Sequence, residues 1–259
     1  MRFGQDTIPG GSVYTSHPVL DGIRLAAIRM VKLLLAVKRP APVGGPTGNL
    51  PERSSKESSM AQPPLVPAKT AVLSMDLQTA IVSIYAKDRA KDRPELIERA
   101  AGILNAARGL GMKVIHVRVG FRPGLPEVSS RNLLFGSIKN SPQHQAIFEG
   151  AAGEIHPGLA PQADDITVVK HRVSAFAGTD LEMILRAKGI DHLILMGIAT
   201  SGVVLSTTRH AADADYRITI VRDCCADRDE EVHRVLLDKV FVRQAAIVTA
   251  ADVLGALPN

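Results

Sequence analysis

The stretch Leu193 to Asp213, LILMGIATSGVVLSTTRHAAD, decides how the rest of the chain is read. Leu193 to Met196 is a short apolar run of the kind that forms a buried strand. Gly197, Ala199, Thr200, Ser201 and Gly202 follow, small residues that let a backbone turn sharply and approach a ligand. From Val203 the apolar positions 203, 204, 207 and 211 recur at helical spacing, with the Thr methyl serving at 207. A strand, a small-residue turn and a helix N-terminus in succession aim backbone N–H groups at an anion or oxyanion.

Working outward from that unit, strands and helices alternate. Thr70 to Met75 reads as a buried strand ending at Asp76. Pro94 to Leu110 reads as an amphipathic helix, with proline in its first turn and Gly111 as its C-terminal cap. Lys113 to Val119 and Ile166 to Val169 are further strands, separated by a long irregular stretch, Gly120 to Asp165. A connection of that length inside a domain is functional or carries short helices. Thr179 to Lys188 reads as a helix with Thr179 as N-cap, Glu182 three residues on and Gly189 closing it. Tyr216 to Val221 is the fifth strand, ending at Arg222-Asp223. Asp229 to Phe241 is a helix, Ala245 to Thr249 a last strand, and Val253 to Leu257 a helical turn. Six strands with helices between them imply a mainly parallel sheet in a three-layer α/β/α sandwich. Ligands of such sheets bind at the carboxyl ends of the strands, where the strand order switches.

Composition agrees with that class. The 259 residues are 46% hydrophobic but only 3% aromatic, with no Trp, so the core is built from aliphatic side chains. The two cysteines, Cys224 and Cys225, are adjacent, which offers no ordinary structural disulfide and suits a reducing, cytoplasmic setting. Of the +5 formal charge, nearly all lies in residues 1–60, which hold 8 Lys/Arg against 4 Asp/Glu, leaving 23 against 22 beyond them. A nearly neutral body without a basic stripe disfavours nucleic acid as a partner. Residues 1–65 are punctuated by Pro, Gly and Ser, as in a disordered or non-native extension, and 66–259 form the folded domain. The run Leu20 to Arg39 is interrupted by five cations and is no membrane span. It reads as an amphipathic surface helix, a poor targeting signal or part of an upstream extension before Met60.

The strand ends collect the residues able to do chemistry: Asp76, Arg118, Lys170, the Thr200-Ser201-Gly202 turn and Asp223-Cys224-Cys225. An Asp closing a strand is commonly a helix cap and a Lys there is commonly solvated. An acid and a base at the ends of two strands of one sheet, within ion-pair reach, shift each other's pKa.

Met75-Asp76-Leu77-Gln78, Val169-Lys170 with Ser174-Ala175-Phe176 and Thr179-Asp180-Leu181, and Gly197-Ile198-Ala199-Thr200 together resemble the isochorismatase-like hydrolases, a cysteine hydrolase superfamily, over about residues 68–252. The resemblance implies an acid/base at Asp76 with Lys170 as its cationic partner. It also implies a cis peptide at Ile198–Ala199 and oxyanion-facing amides at Ala199 and Val203. The departure is at Val203, the position of the superfamily's nucleophilic Cys. A valine has no lone pair, so thiolate attack from this position is excluded. No metal site is evident: His116 lies inside the second strand, and His144 and His156 are isolated in the long connection. No cofactor is expected.

Three functions are compatible with these residues. A hydrolase acting on a small organic molecule without a covalent step needs Asp76 as general acid/base with Lys170, its pKa raised by burial against the nearby ammonium. Cys224 or Cys225 reaching in from the next strand end is a second route. A pocket that binds or a fold that only scaffolds, without turnover, is the third. Arg118, Phe121, Arg122 and Phe176, with Ser201 and Gly202, are expected to flank the pocket. Arg118 either receives a substrate carboxylate or pairs with an acidic neighbour. The resemblance also implies a homo-oligomer, a dimer or tetramer.

Overall fold

The computed structural model describes residues 65–85 and 93–257, and the expectations for residues 1–64 lie outside it. Strands β1 (Thr70–Met75), β2 (Lys113–Val119), β3 (Ile166–Lys170), β4 (His192–Ile198), β5 (Arg217–Ala226) and β6 (Ala246–Val248) form one sheet in the order β3-β2-β1-β4-β5-β6. All five pairings are parallel. Every residue of β1 and of β4 is buried, which explains why both read as near-continuous apolar runs. The chain winds from β1 outward to β3, then restarts on β1's other side at β4. The switch in strand order therefore falls between β1 and β4.

Alternating side chains of these strands feed two cores, one on each face. Val72, Ile194 and Met196 meet Ile103, Leu104 and Val253 on one face. These come from helices α2 (Arg93–Gly109) and α9 (Ala250–Ala256). Leu73, Leu193 and Leu195 meet Leu181, Leu185, Ala211 and Phe241 on the other, drawn largely from α6 (Leu181–Ala187) and α7 (Leu205–Asp213). The sandwich expected from the alternation of elements is the one observed.

One helix had no expectation, and three local expectations need correction. α1 (Thr79–Tyr85) was not legible: TAIVSIY is rich in β-branched residues, but burial of Ile81 and Val82 outweighs that weak propensity. Thr179 does not cap α6 as a capping box. Its hydroxyl donates to the Ala175 carbonyl at 2.7 Å, Asp180 takes the cap position without a side-chain bond, and Glu182 pairs with Arg186. β5 runs past Arg222-Asp223 to Ala226, its register against β4 shifting between Leu195 and Gly197, so both cysteines lie inside the strand. The helix expected over 229–241 is α8 (Glu230–Val235), capped by Asp229, then a π turn at Leu236–Val240 and a 3-10 turn to Arg243.

The long connection holds α3 (Leu133–Lys139), α4 (Pro142–Ala146) and α5 (Gly150–Gly153). They surround a small separate core of Leu125, Val128, Phe135 and Ile138. Gln78, fully buried, ties this layer to the sheet: its amide donates to the carbonyls of Val119 (3.0 Å) and Gly153 (2.6 Å) and accepts from Val119 N–H (2.8 Å).

Candidate active site

The site is built from the carboxyl ends of β1, β3 and β4. β1 ends in Asp76, whose φ of 55° turns the chain out of the strand, with its N–H on the Val117 carbonyl at 2.8 Å. β3 ends in Lys170, two strands from β1, roughly 10 Å at ordinary strand spacing. The long lysine stem spans that gap, and its Nζ lies 2.9 Å from Asp76 Oδ2 and 3.0 Å from the Arg172 carbonyl. Both side chains are almost wholly buried, Lys170 at 2% and Asp76 at 6% exposure. An ion pair removed from water is costly unless each partner is satisfied, and Asp76 Oδ1 has no hydrogen bond. Burial pushes the Asp76 carboxyl above its usual range, against the opposing attraction of Lys170.

β4 ends in a turn that its small residues make possible. At Gly197, φ is 154° and a Cβ would lie 2.2 Å from the Met75 carbonyl oxygen, so only glycine lets β4 pack this closely on β1. The Ile198–Ala199 peptide is cis. The helix that follows opens with a π turn, Thr200–Val204, before α7. Two contacts tie this turn to the chain after β5: Ser201 N–H donates to Asp227 Oδ2 at 2.7 Å, and Thr200 Oγ1 lies 2.7 Å from His233 Nδ1.

A cavity of about 350 Å³ opens between these strand ends and the α3–α4 layer. Asp76, Lys170, Ala199, Gly202 and Val203 all line it, Val203 with 2% exposure. Ile81, Phe135, Ile138, Phe148 and Val173 make most of its wall apolar. Sequence reasoning missed Tyr85 and Arg228 and set His144 aside as an isolated residue of the long connection; all three line the cavity. Arg228 follows the end of a strand, a usable signal, but α1 and the helices of the long connection had no sharp pattern to place the others.

Five expected pocket residues, Arg118, Phe121, Arg122, Phe176 and Ser201, lie outside this cavity's lining, and Arg122 lines the same neighbouring hollow as Arg118. Arg118 lines a larger hollow, about 710 Å³, that Gly120 also lines, and sits 3.8 Å from Glu154 and 3.5 Å from the Gly153 carbonyl. It thus has an acidic neighbour in the fold. Phe121 packs edge-on to Phe135 and Phe148, its ring centroid 6.0 and 5.4 Å from theirs, and also faces that hollow. Phe176 is in the core, its ring stacked on His210 with centroids 4.4 Å apart. Ser201 turns toward Asp227.

The cysteines lie elsewhere too. Both are buried in β5, and neither lines the cavity. Burial raises both thiol pKa values, that of Cys225 to about 12. Such thiols are inert at neutral pH. His116 meets Asp165 (3.2 Å), which Arg108 grips at 2.6 and 3.1 Å. His156 Nδ1 accepts from Gly158 N–H, capping a turn. Among the described residues no three His, Cys, Asp or Glu side chains gather at metal-binding distance, and no helix is long and apolar enough to cross a membrane.

The isochorismatase domain family matches residues 70–252. Maleamate amidohydrolase of Pseudomonas putida is 28% identical over 190 residues, 73% of this chain and 87% of that protein. A ureidoacrylate amidohydrolase of Caulobacter vibrioides is 31% identical over 208 residues, 74% of this chain and 88% of the relative. Among solved structures, an isochorismatase family protein from Burkholderia thailandensis superposes with TM-score 0.64 at 28% identity, covering 75% of this chain and 98% of that one. N-carbamoylsarcosine amidase from Thermoplasma acidophilum superposes with TM-score 0.55 at 27% identity, covering 70% and 96%. With the match running from the first residue of β1 into α9, across all six strands and the Asp76–Lys170 pair, the chain belongs to the isochorismatase family.

Proposed function

We propose that the protein hydrolyses a small organic molecule in the cavity beside Val203, with Asp76 as general acid/base, Lys170 as its charged partner and no cysteine nucleophile. One observation carries this reading: Asp76 faces the cavity with its Oδ1 unpartnered and its pKa raised by burial. A carboxyl whose pKa is raised holds its proton to higher pH than an ordinary one, which suits a general acid. Lys170, held by Asp76 and the Arg172 carbonyl, keeps the second oxygen fixed. The chemistry this suits is the cleavage of a vinyl ether. Asp76 gives its proton to the vinyl carbon and water adds to the oxocarbenium ion. The hemiketal then collapses to a ketone and an alcohol, and a proton returns to Asp76. In this reading the amides of Ala199 and Val203 take the alkoxide oxygen that develops as the hemiketal collapses.

Val203 also favours a second reading, a binding protein that takes a ligand into the cavity without turning it over. The experiment is a hydrolysis assay with isochorismate, maleamate, ureidoacrylate and N-carbamoylsarcosine, before and after exhaustive thiol alkylation. Turnover of the vinyl ether, unchanged by alkylation, is the expected result. Complete inactivation by alkylation points to Cys224 or Cys225. Saturable binding with no turnover of any of the four supports the second reading.

A further inference from the structure

Six lining residues bring polar side chains to the cavity: Asp76, Tyr85, Ser137, His144, Lys170 and Arg228. Much of their hydrogen-bonding capacity is spent inside the protein. Lys170 is held by Asp76 and the Arg172 carbonyl. Ser137 Oγ donates to the Leu134 carbonyl at 2.7 Å, and His144 Nδ1 lies 3.3 Å from the Ser137 carbonyl. Asp76 Oδ1, the Tyr85 hydroxyl and the Arg228 guanidinium make no hydrogen bond or ion pair among the described residues. Those groups are left for a ligand.

Tyr85 is the last residue of α1, and Arg228 sits in the turn after β5. The guanidinium carbon lies 5.3 Å from the Tyr85 ring centroid, over its face. This cation–π contact joins the two elements and sets the ring's orientation at the cavity wall. Burial, with the Asp227 and Asp76 carboxylates, raises the phenol's pKa, and Arg228 opposes them. A phenol kept protonated is a hydrogen-bond donor throughout the neutral range. With a valine where the family places its nucleophile, substrate and water must be held by side-chain hydrogen bonds of this kind.

We infer that Tyr85 is a catalytic hydrogen-bond donor to the oxygen that departs as the hemiketal collapses, or to a carbonyl oxygen of the substrate, beside Asp76, and that Arg228 is the positioning residue that holds its ring. This rests on the hydrolytic reading above. The chain has three Tyr and no Trp, so phenolate absorbance and tyrosine emission are both readable in the full-length protein.

The test compares wild type with Tyr85→Phe, Arg228→Gln, Arg228→Lys and Asp76→Asn. Tyr85→Phe should remove one phenolate transition. Arg228→Gln should move that transition to higher pH, because the guanidinium charge favours the phenolate, and Arg228→Lys should restore it in part. A transition unmoved in Arg228→Gln overturns the positioning role. On whichever of the four probes is hydrolysed, Tyr85→Phe should lower kcat about 10- to 100-fold with little change in KM. Wild-type kcat and KM in Tyr85→Phe, with Asp76→Asn inactive, overturn the inference and leave the Asp76 reading standing. Full activity in Asp76→Asn overturns that reading instead. Where no probe is hydrolysed, saturable quenching of tyrosine emission by any of them, lost in Tyr85→Phe, supports the contact. Quenching that survives the substitution, or none in wild type, overturns it.

Discussion

At the scale of single residues, the proposed chemistry turns on Val203 and Asp76. Val203 occupies the start of the helix after β4 and lines the same cavity as Asp76 and Lys170. A thiol at that position would feel the helix N-terminus and the buried ammonium, both of which stabilise a thiolate. Val203→Cys is therefore expected to create an alkylation-sensitive site that reacts well below the pH of an ordinary cysteine. It should also bring thiol-dependent hydrolysis of maleamate or N-carbamoylsarcosine. A thiol as unreactive as Cys224 and Cys225 would show that the turn no longer activates a nucleophile. For Asp76, burial raises the pKa, and in the proposed mechanism the protonated form is the acid. Wild-type activity should accordingly decline as pH rises through that raised value, read from the kcat/KM profile. The identity of the Asp76–Lys170 pair was legible from two strand ends. The wall of the cavity was not, because Tyr85 and Phe135 lie on short helices whose sequences carry no clear period.

At the scale of elements, the close contact of β1 and β4 is what places the turn. Gly197 is the residue that permits it, since a Cβ there would press on the Met75 backbone. Gly197→Ala should cost roughly 2–4 kcal/mol and lower the thermal midpoint by roughly 5–12 °C, measured by calorimetry. An unchanged midpoint would mean that β1 and β4 separate at little cost. Strands were read well because full burial makes them continuous apolar runs, as in LILM at 193–196. Their ends were read less well. β5 continues through Arg222 and Asp223 because these polar residues lie where the strand is partly exposed, a circumstance set by tertiary packing. Arg118 and Phe176 were misplaced for a related reason. Sequence shows that a residue is near a strand end, but not which side of the neighbouring loop its side chain takes.

At the scale of the molecule, the two ends of the sheet carry different electrostatics. The carboxyl end holds the buried Asp76–Lys170 ion pair, while the amino end holds His192, buried at 6% exposure, 2.9 Å from the Thr219 hydroxyl and with its Nδ1 unpartnered. Burial, then Arg217, depresses its pKa from 6.5 to about 4. The unfolded chain thus takes up this proton first, so the stability contributed by neutral His192 is complete above about pH 6.5 and is lost as pH falls toward about 4. A shift of this size corresponds to about 3 kcal/mol. Urea unfolding midpoints should drop over that window in wild type and drop less in His192→Asn. Equal drops in the two proteins would place the acid sensitivity elsewhere. The overall architecture was the most legible feature of all, since alternating strands and helices leave a parallel sheet few other arrangements.

The most direct measurement is hydrolysis by Asp76→Asn, on the best of the four probes, with folding checked by circular dichroism. Asparagine keeps the volume and removes the acid, and a loss of about 10²- to 10⁴-fold in kcat/KM is predicted. A folded Asp76→Asn protein with wild-type kcat/KM would contradict a mechanism in which the buried carboxyl, rather than a nucleophile on the turn, does the chemistry.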